Sequence, residues 1–154
     1  MFPTHAGMNR LLNLTDANRF NVTYLHRHEK VEFHHNHPQD GGLSWADINS
    51  SGVGSDKGIW AHGDRGSIYR AYDIQKGASA AYKTAEKELR TFRKTLKDGE
   101  PHTALSAEDG HILLQILAKS GKLKYEFSLI EERKNRADLS DVQAFIDRIA
   151  SKIK

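Results

Sequence analysis

The densest group of side chains capable of chemistry lies in the stretch FHHNHPQDGGLSWADI, residues 33–48. If its histidines lie on a strand, alternate side chains share a face, and His35 and His37 are then about 6–7 Å apart along the backbone. Two imidazoles placed in this way can bind one metal ion. Asp47 could add a carboxylate ligand and leave a fourth position for water, as in catalytic zinc sites.

A three-ligand site of this kind is suited to hydrolysis, because the ion polarises a carbonyl and lowers the pKa of water to about 7. Ser44 precedes Asp47 by one helical turn and could donate a hydrogen bond to an oxyanion. The chain has no cysteine, so a metal would need His, Asp or Glu ligands. Ser-x-x-Asp is also a capping box, and without the histidines we would expect Ser44 and Asp47 only to cap a helix.

His-x-His-Pro followed by Ser-x-x-Asp at this spacing resembles the motif of the JAMM zinc metalloprotease family. The variant HNHP with LSxxDI is similar to phage-associated and toxin-associated bacterial members, and the resemblance covers residues 22–74, including the segment GSIYRAYD. It implies a JAMM/cytidine-deaminase-like mixed sheet and hydrolysis of peptide or isopeptide bonds, often next to a ubiquitin-like modifier. Carried over residue by residue, it also implies Zn²⁺ as the cofactor, with the ligands His35, His37 and Asp47 and with Ser44 assisting the tetrahedral intermediate.

The family's general base, a glutamate on an earlier element, has no match in this sequence. Glu32 is three residues from His35 and faces the other side of a strand. Glu29 has the right parity, but about 3.3 Å per residue places it ~20 Å away. We therefore expect a truncated or degenerate member, which leaves open whether the chain is an enzyme.

Two other functions fit parts of the same sequence. An HNH nuclease would use a histidine base at His34–His35, the glycines 41–42, Asp47, Asn49 and the metal ligand His62. Against it, such a site needs a helix that carries the final histidine, whereas IWAHGDRG is typical of a strand and a turn. The other alternative is a non-catalytic interaction module that retains a JAMM-like core.

The remaining histidines are expected to have ordinary roles. Five of the nine histidines fall between residues 26 and 37, which is unusual for a chain of this length. We expect His26 and His28 on the surface of a strand. His62, His102 and His111 are predicted to be structural or exposed.

Composition indicates a soluble protein with a modest core: 38% of residues are hydrophobic, 28% are charged and the mean hydropathy is -0.66. No apolar run resembles a membrane span or a signal peptide, so we expect a cytoplasmic protein without a membrane partner. Residues 76–154 carry sixteen Lys/Arg against twelve Asp/Glu. This excess usually marks solvated helices, and it leaves nucleic-acid binding possible but less expected than a peptide or protein substrate.

Hydrophobic spacing predicts an α+β (α/β-like) domain with a helical C-terminal part. Residues 59–74 favour a β-hairpin and residues 123–130 favour a half-buried strand, because apolar residues alternate with polar ones. Apolar residues repeat every three or four positions in residues 79–97 and 139–153, which predicts helices. A further helix is predicted to start at LSAED and to stop at Gly121.

We divide the chain at a soft boundary near Gly77. Residues 1–20 are expected to be irregular, and MFPTHAGMNR resembles a translated CRISPR repeat, which favours a natural start elsewhere. Residues 21–76 would hold the metal-site core and residues 77–154 a helix-strand-helix part. The stripes of the two long helices are expected to form mainly intramolecular core, with a homodimer as the alternative.

Overall fold

A computed structural model describes residues 33–51, 58–95, 107–131 and 140–153. The described part contains, in chain order, strand β1 (Phe33–His37), a short 3-10 turn (Pro38–Asp40), helix α1 (Trp45–Ser51), strands β2 (Ile59–Gly63) and β3 (Ile68–Tyr72), helices α2 (Ala78–Thr95) and α3 (Ala107–Lys119), strand β4 (Lys124–Ser128) and helix α4 (Ser140–Ala150). The expectations for His26, His28, Glu29, Glu32 and His102 lie outside the described residues.

The four strands form one mixed sheet in the order β1-β2-β3-β4. β1 pairs in parallel with β2, and the two other pairs are antiparallel. β4 follows Gly77 in the chain, so the sheet contains strands from both sides of the predicted boundary. The prediction of an α+β fold with a mixed sheet and flanking helices is confirmed.

Local sequence signals account for the boundaries of these elements. The predicted hairpin is present as β2 and β3, joined by a turn in which Gly66 has a φ of +110°. α3 ends at Lys119 and is followed by Gly121, which has a φ of +74°. The Lys122 N–H donates to the Leu117 carbonyl, and the Gly121 N–H donates to the Ala118 carbonyl. This is the Schellman motif, and it requires the left-handed backbone that glycine adopts at little cost.

The hydrophobic core lies between one face of the sheet and the helices. The buried face of the sheet contributes Ile59, Ala61, Tyr69 and Ala71, each 2% exposed or less. The helices supply most of the rest, through Tyr82, Ala85 and Leu89 of α2, Ile112, Leu113, Leu114, Ile116 and Leu117 of α3, and Val142, Phe145, Ile146 and Ile149 of α4. Within the described ranges, no helix combines the length and the apolar character needed to cross a membrane.

One residue of the predicted half-buried strand does not follow the pattern. Leu123 and Leu129 are buried, but Phe127 is 50% exposed. β4 is the last strand in the order of the described sheet, so Phe127 has the β3 side chains on one flank only. The ring of Phe127 packs edge-on against the ring of His111, with 4.5 Å between the two ring centroids.

Candidate metal centre

β1 brings two histidine side chains together on the side of the sheet that faces the core. His35 and His37 are half-buried, whereas His34 and Asn36, which alternate with them along the strand, are exposed. The Nε2 atoms of His35 and His37 are 2.8 Å apart. His37 lies opposite Gly63 in the parallel register, so no side chain of β2 competes for the same space.

Ser44 and Asp47 form a reciprocal cap at the start of α1. The Asp47 carboxylate accepts the Ser44 backbone N–H at 2.7 Å, and the Asp47 N–H donates to Ser44 Oγ at 3.3 Å. This is a capping box, as the sequence predicts. The same carboxylate also accepts the Ser44 hydroxyl at 2.7 Å, so the cap holds Asp47 in one place.

The cap directs Asp47 at the two histidines. Its Oδ1 lies 3.2 Å from His35 Nε2 and its Oδ2 lies 3.3 Å from His37 Nε2. Ligands of a tetrahedral zinc ion bound at 2.0–2.1 Å are separated by about 3.3 Å. The distances from the carboxylate to the two imidazoles are close to this value, and in the described part of the chain the three side chains form a group that could hold a metal ion.

The orientation of His37 is set by a backbone carbonyl. His37 Nδ1 lies 3.1 Å from the carbonyl oxygen of Gly41, which can only accept, so the proton is on Nδ1. Nε2 is then the nitrogen with a free lone pair in the neutral ring, and it points at Asp47. Metal-binding histidines commonly donate their second nitrogen to a carbonyl or carboxylate in this way.

The charges at the site favour a cation. Burial by itself raises the pKa of Asp47, but hydrogen bonds from His35 and His37 outweigh burial and hold the pKa of this carboxyl well below its usual range. Burial lowers the pKa of His37, but the hydrogen bond and the charge of Asp47 outweigh it and raise the pKa above 6.5. Asp47 is therefore an anion at neutral pH, next to an imidazole that holds its proton more tightly than usual.

The loop between His37 and Ser44 packs directly on α3. A Cβ atom added at Gly42 would lie 2.9 Å from the backbone nitrogen of His111 and 3.0 Å from the carbonyl carbon of Gly110. Only glycine permits such a close backbone approach. Gly42 is thus a packing requirement of this loop, and not only part of the turn that its composition predicts.

The residues of the nuclease alternative are divided between different parts of the fold. His62 lies on strand β2, not on a helix, and faces the side of the sheet opposite to Ala61 and His35. There its Nε2 contacts His34 Nδ1 at 2.9 Å. Asn49 lies on α1 and accepts the hydroxyl of Ser79.

Two polar residues of this region are buried, and only one of them differs from simple sequence expectation. His111 is buried, which is the structural role that the sequence predicts, and its Nδ1 lies 2.8 Å from the Tyr125 hydroxyl. Asp40 is fully buried beside the metal-site loop, although an aspartate in PQDGG is typical of an exposed turn. No periodicity or motif in the sequence marks it.

The chain matches no protein-family model, no curated protein and no solved structure.

Proposed function

We propose that the protein is a JAMM-like zinc metallopeptidase or isopeptidase. The observation that supports this function is the convergence of His35 Nε2, His37 Nε2 and the Asp47 carboxylate at mutual distances of 2.8–3.3 Å. Three protein ligands with one position left for water are typical of catalytic zinc, whereas structural zinc sites use four protein ligands.

The donor atoms favour zinc over the alkaline-earth ions. Two neutral imidazoles and one carboxylate suit zinc, while Ca²⁺ and Mg²⁺ prefer sites made entirely of oxygen. When bound, zinc supplies Lewis-acid chemistry: it polarises an amide carbonyl and lowers the pKa of water to about 7. Manganese, iron, cobalt and nickel accept the same ligands, so the assignment to zinc also requires a direct measurement.

Ser44 has the chemistry and the position of an oxyanion donor. Its side chain is exposed and its hydroxyl donates to the Asp47 carboxylate at 2.7 Å, so it lies beside the site without being enclosed. Turning the same hydroxyl toward a substrate would stabilise the negative charge that develops on an attacked carbonyl. Because Ser44 also caps α1, its backbone is held in place while the hydroxyl rotates.

The proton acceptor of the reaction is the remaining requirement. The group formed by His35, His37 and Asp47 contains no glutamate. A general base must lie within hydrogen-bond reach of the attacking water, directly or through a second water. The sequence identifies no residue for this role, and we expect a carboxylate from outside the group of His35, His37 and Asp47 to fill it.

Metal content and activity should be measured on the same preparation. We expect about one zinc per chain by elemental analysis, lost in His37→Ala and retained in His62→Ala. We also expect cleavage of a linear ubiquitin-like fusion that stops with EDTA and returns with zinc. Absence of metal from wild-type protein would refute the proposal. Metal binding without cleavage would favour the interaction module, and nicking of a plasmid in Mg²⁺ would favour the nuclease.

A further inference from the structure

We propose that Asp40 is a positioning residue for the metal centre, which holds the Gly41 carbonyl and through it the metal-binding tautomer of His37. This inference rests on the metal site of the proposed function. It assigns a role to a residue that touches neither the candidate ligands nor a substrate.

Asp40 is a buried carboxylate that connects two loops. It is 0% exposed, and its Oδ1 accepts the backbone N–H of Arg65 at 3.1 Å and that of Ser67 at 3.0 Å. Its own backbone carbonyl accepts the hydroxyl of Tyr69 at 2.9 Å. A carboxylate is placed in a protein interior at high cost unless such donors satisfy it. These bonds therefore fix Asp40 firmly to the β2–β3 turn.

The backbone around Asp40 adopts a conformation that would not persist without support. Gln39 and Asp40 have φ values of 59° and 58°, so two successive residues with side chains lie in the left-handed region. That region is unfavourable for residues other than glycine, and less so for aspartate. The reversal that these two residues make brings the Gly41 carbonyl back to His37 Nδ1, four residues along the chain.

Gly63 provides the space that Asp40 occupies. A Cβ atom at Gly63 would lie 2.0 Å from Asp40 Oδ1 and 2.9 Å from its Cα. The same Gly63 is the register partner of His37. The absence of a side chain at Gly63 therefore admits the Asp40 carboxylate next to the strand that carries His37.

A continuous set of contacts connects the β2–β3 turn with His37. The β2–β3 turn binds the Asp40 carboxylate, Asp40 fixes the adjacent Gly41 peptide, and the Gly41 carbonyl accepts the proton of His37 Nδ1. Loss of the carboxylate would release the left-handed backbone, move the carbonyl and allow the proton to occupy Nε2. A histidine protonated on Nε2 cannot bind the metal through that atom.

The test compares Asp40→Ala and Asp40→Asn with Asp64→Ala. Asparagine keeps an Oδ1 acceptor for the two N–H groups, whereas alanine removes it. Asp64 is the matched control, because it is an exposed carboxylate that binds the same loop through the Gln39 N–H at 3.2 Å. Zinc affinity is measured by competition with a chromophoric chelator, and the spectrum of the Co²⁺-substituted protein reports the geometry of the ligands.

We expect Asp40→Ala to weaken zinc binding about 10–100-fold, which is the usual effect of losing support for a metal ligand. Asp40→Asn should recover most of the affinity and the Co²⁺ spectrum, and Asp64→Ala should weaken binding far less than Asp40→Ala, because its bond to the Gln39 N–H is exposed to solvent. Wild-type affinity in a folded Asp40→Ala protein would overturn the proposal. An Asp40→Asn protein that is as defective as Asp40→Ala would also overturn it, because the acceptor would then not be the cause.

A second measurement requires neither zinc nor activity. The ¹⁵N chemical shifts of the His37 ring in zinc-free protein, above its pKa, should show the proton on Nδ1 in wild type and a mixture of tautomers in Asp40→Ala. An unchanged tautomer would refute the positioning role even if the protein binds zinc. Zinc-binding protein without peptidase activity would refute the proposed function alone, and the Asp40 comparison would keep its meaning.

If Asp40→Ala does not fold, Tyr69→Phe replaces it in both measurements. This variant removes only the hydroxyl that donates to the Asp40 carbonyl. We expect it to weaken zinc binding several-fold and to shift the His37 tautomer in the same direction. No change in either quantity would count against the proposal.

Discussion

Substitution of Asp47 by asparagine and by alanine separates the two roles of its carboxylate. As a cap it accepts the Ser44 N–H at 2.7 Å, and as a candidate ligand it faces His35 and His37 at 3.2 and 3.3 Å. Asparagine can still accept the Ser44 N–H through its Oδ1 but is not an anionic ligand. Alanine can do neither.

The expected magnitudes follow from these contacts. Without zinc, Asp47→Ala should lose about 1 kcal/mol more of the free energy of unfolding than Asp47→Asn, which is the usual value of a helix cap. With free zinc at about 100 times its dissociation constant, the wild-type fold gains about 2.7 kcal/mol. Loss of a direct ligand should weaken binding by at least about 100-fold, which reduces this gain to about 0.4 kcal/mol or less in both variants.

The assay is urea unfolding of the three proteins in EDTA and in zinc. Asp141→Asn is a suitable control, because Asp141 is an exposed acidic residue in the first turn of α4. If zinc raised the free energy of unfolding of Asp47→Asn as much as that of the wild type, the assignment of Asp47 as a ligand would be refuted. Equal stability of the two Asp47 variants in EDTA would refute its role as a cap.

Three further predictions concern the same region. Isothermal calorimetry should show that zinc binding is lost in His37→Ala and unchanged in His62→Ala, because the His62 side chain faces the other side of the sheet. Loss of metal binding in His62→Ala, with binding retained in His37→Ala, would instead favour the nuclease. The raised pKa of His37 means that its contribution to the zinc-free fold is complete below pH 6.5 and is lost as the pH rises through that pKa. Zinc competes with this proton, so its affinity should rise over the same interval, and an affinity independent of pH in chelator competition would contradict the titration of His37 at the site. Gly42→Ala should cost about 1–3 kcal/mol in urea unfolding, because its Cβ would lie 2.9 Å from the His111 nitrogen, and an unchanged midpoint would show that the loop can move away.

Short-range patterns in the sequence were sufficient for much of the fold. Alternation placed His35 and His37 on one face of β1, and three-to-four spacing identified the buried stripe of Tyr82, Ala85 and Leu89. The Ser44–Asp47 cap follows from a local rule because all its atoms belong to four consecutive residues. Such features depend on the chain only within one or two turns.

Features that join distant parts of the chain could not be predicted. The buried Asp40 carboxylate accepts the N–H groups of Arg65 and Ser67, which lie 25 and 27 positions later in the chain. Nothing near PQDGG signals those donors. The contact of His34 with His62 depends on the parallel register of β1 and β2, which spacing does not determine. The exposure of Phe127 depends on the place of β4 in the strand order.

The capping box also affects how related sequences would diverge. Ser44 and Asp47 stabilise α1 whether or not a metal binds, so selection for folding alone would retain them. His35 and His37 lie outside the buried hydrophobic core, and metal binding would be a reason to preserve both together. If the site binds a metal, descendants of this sequence that replace the histidines but retain Ser-x-x-Asp would therefore be lineages that kept the fold and lost the metal site.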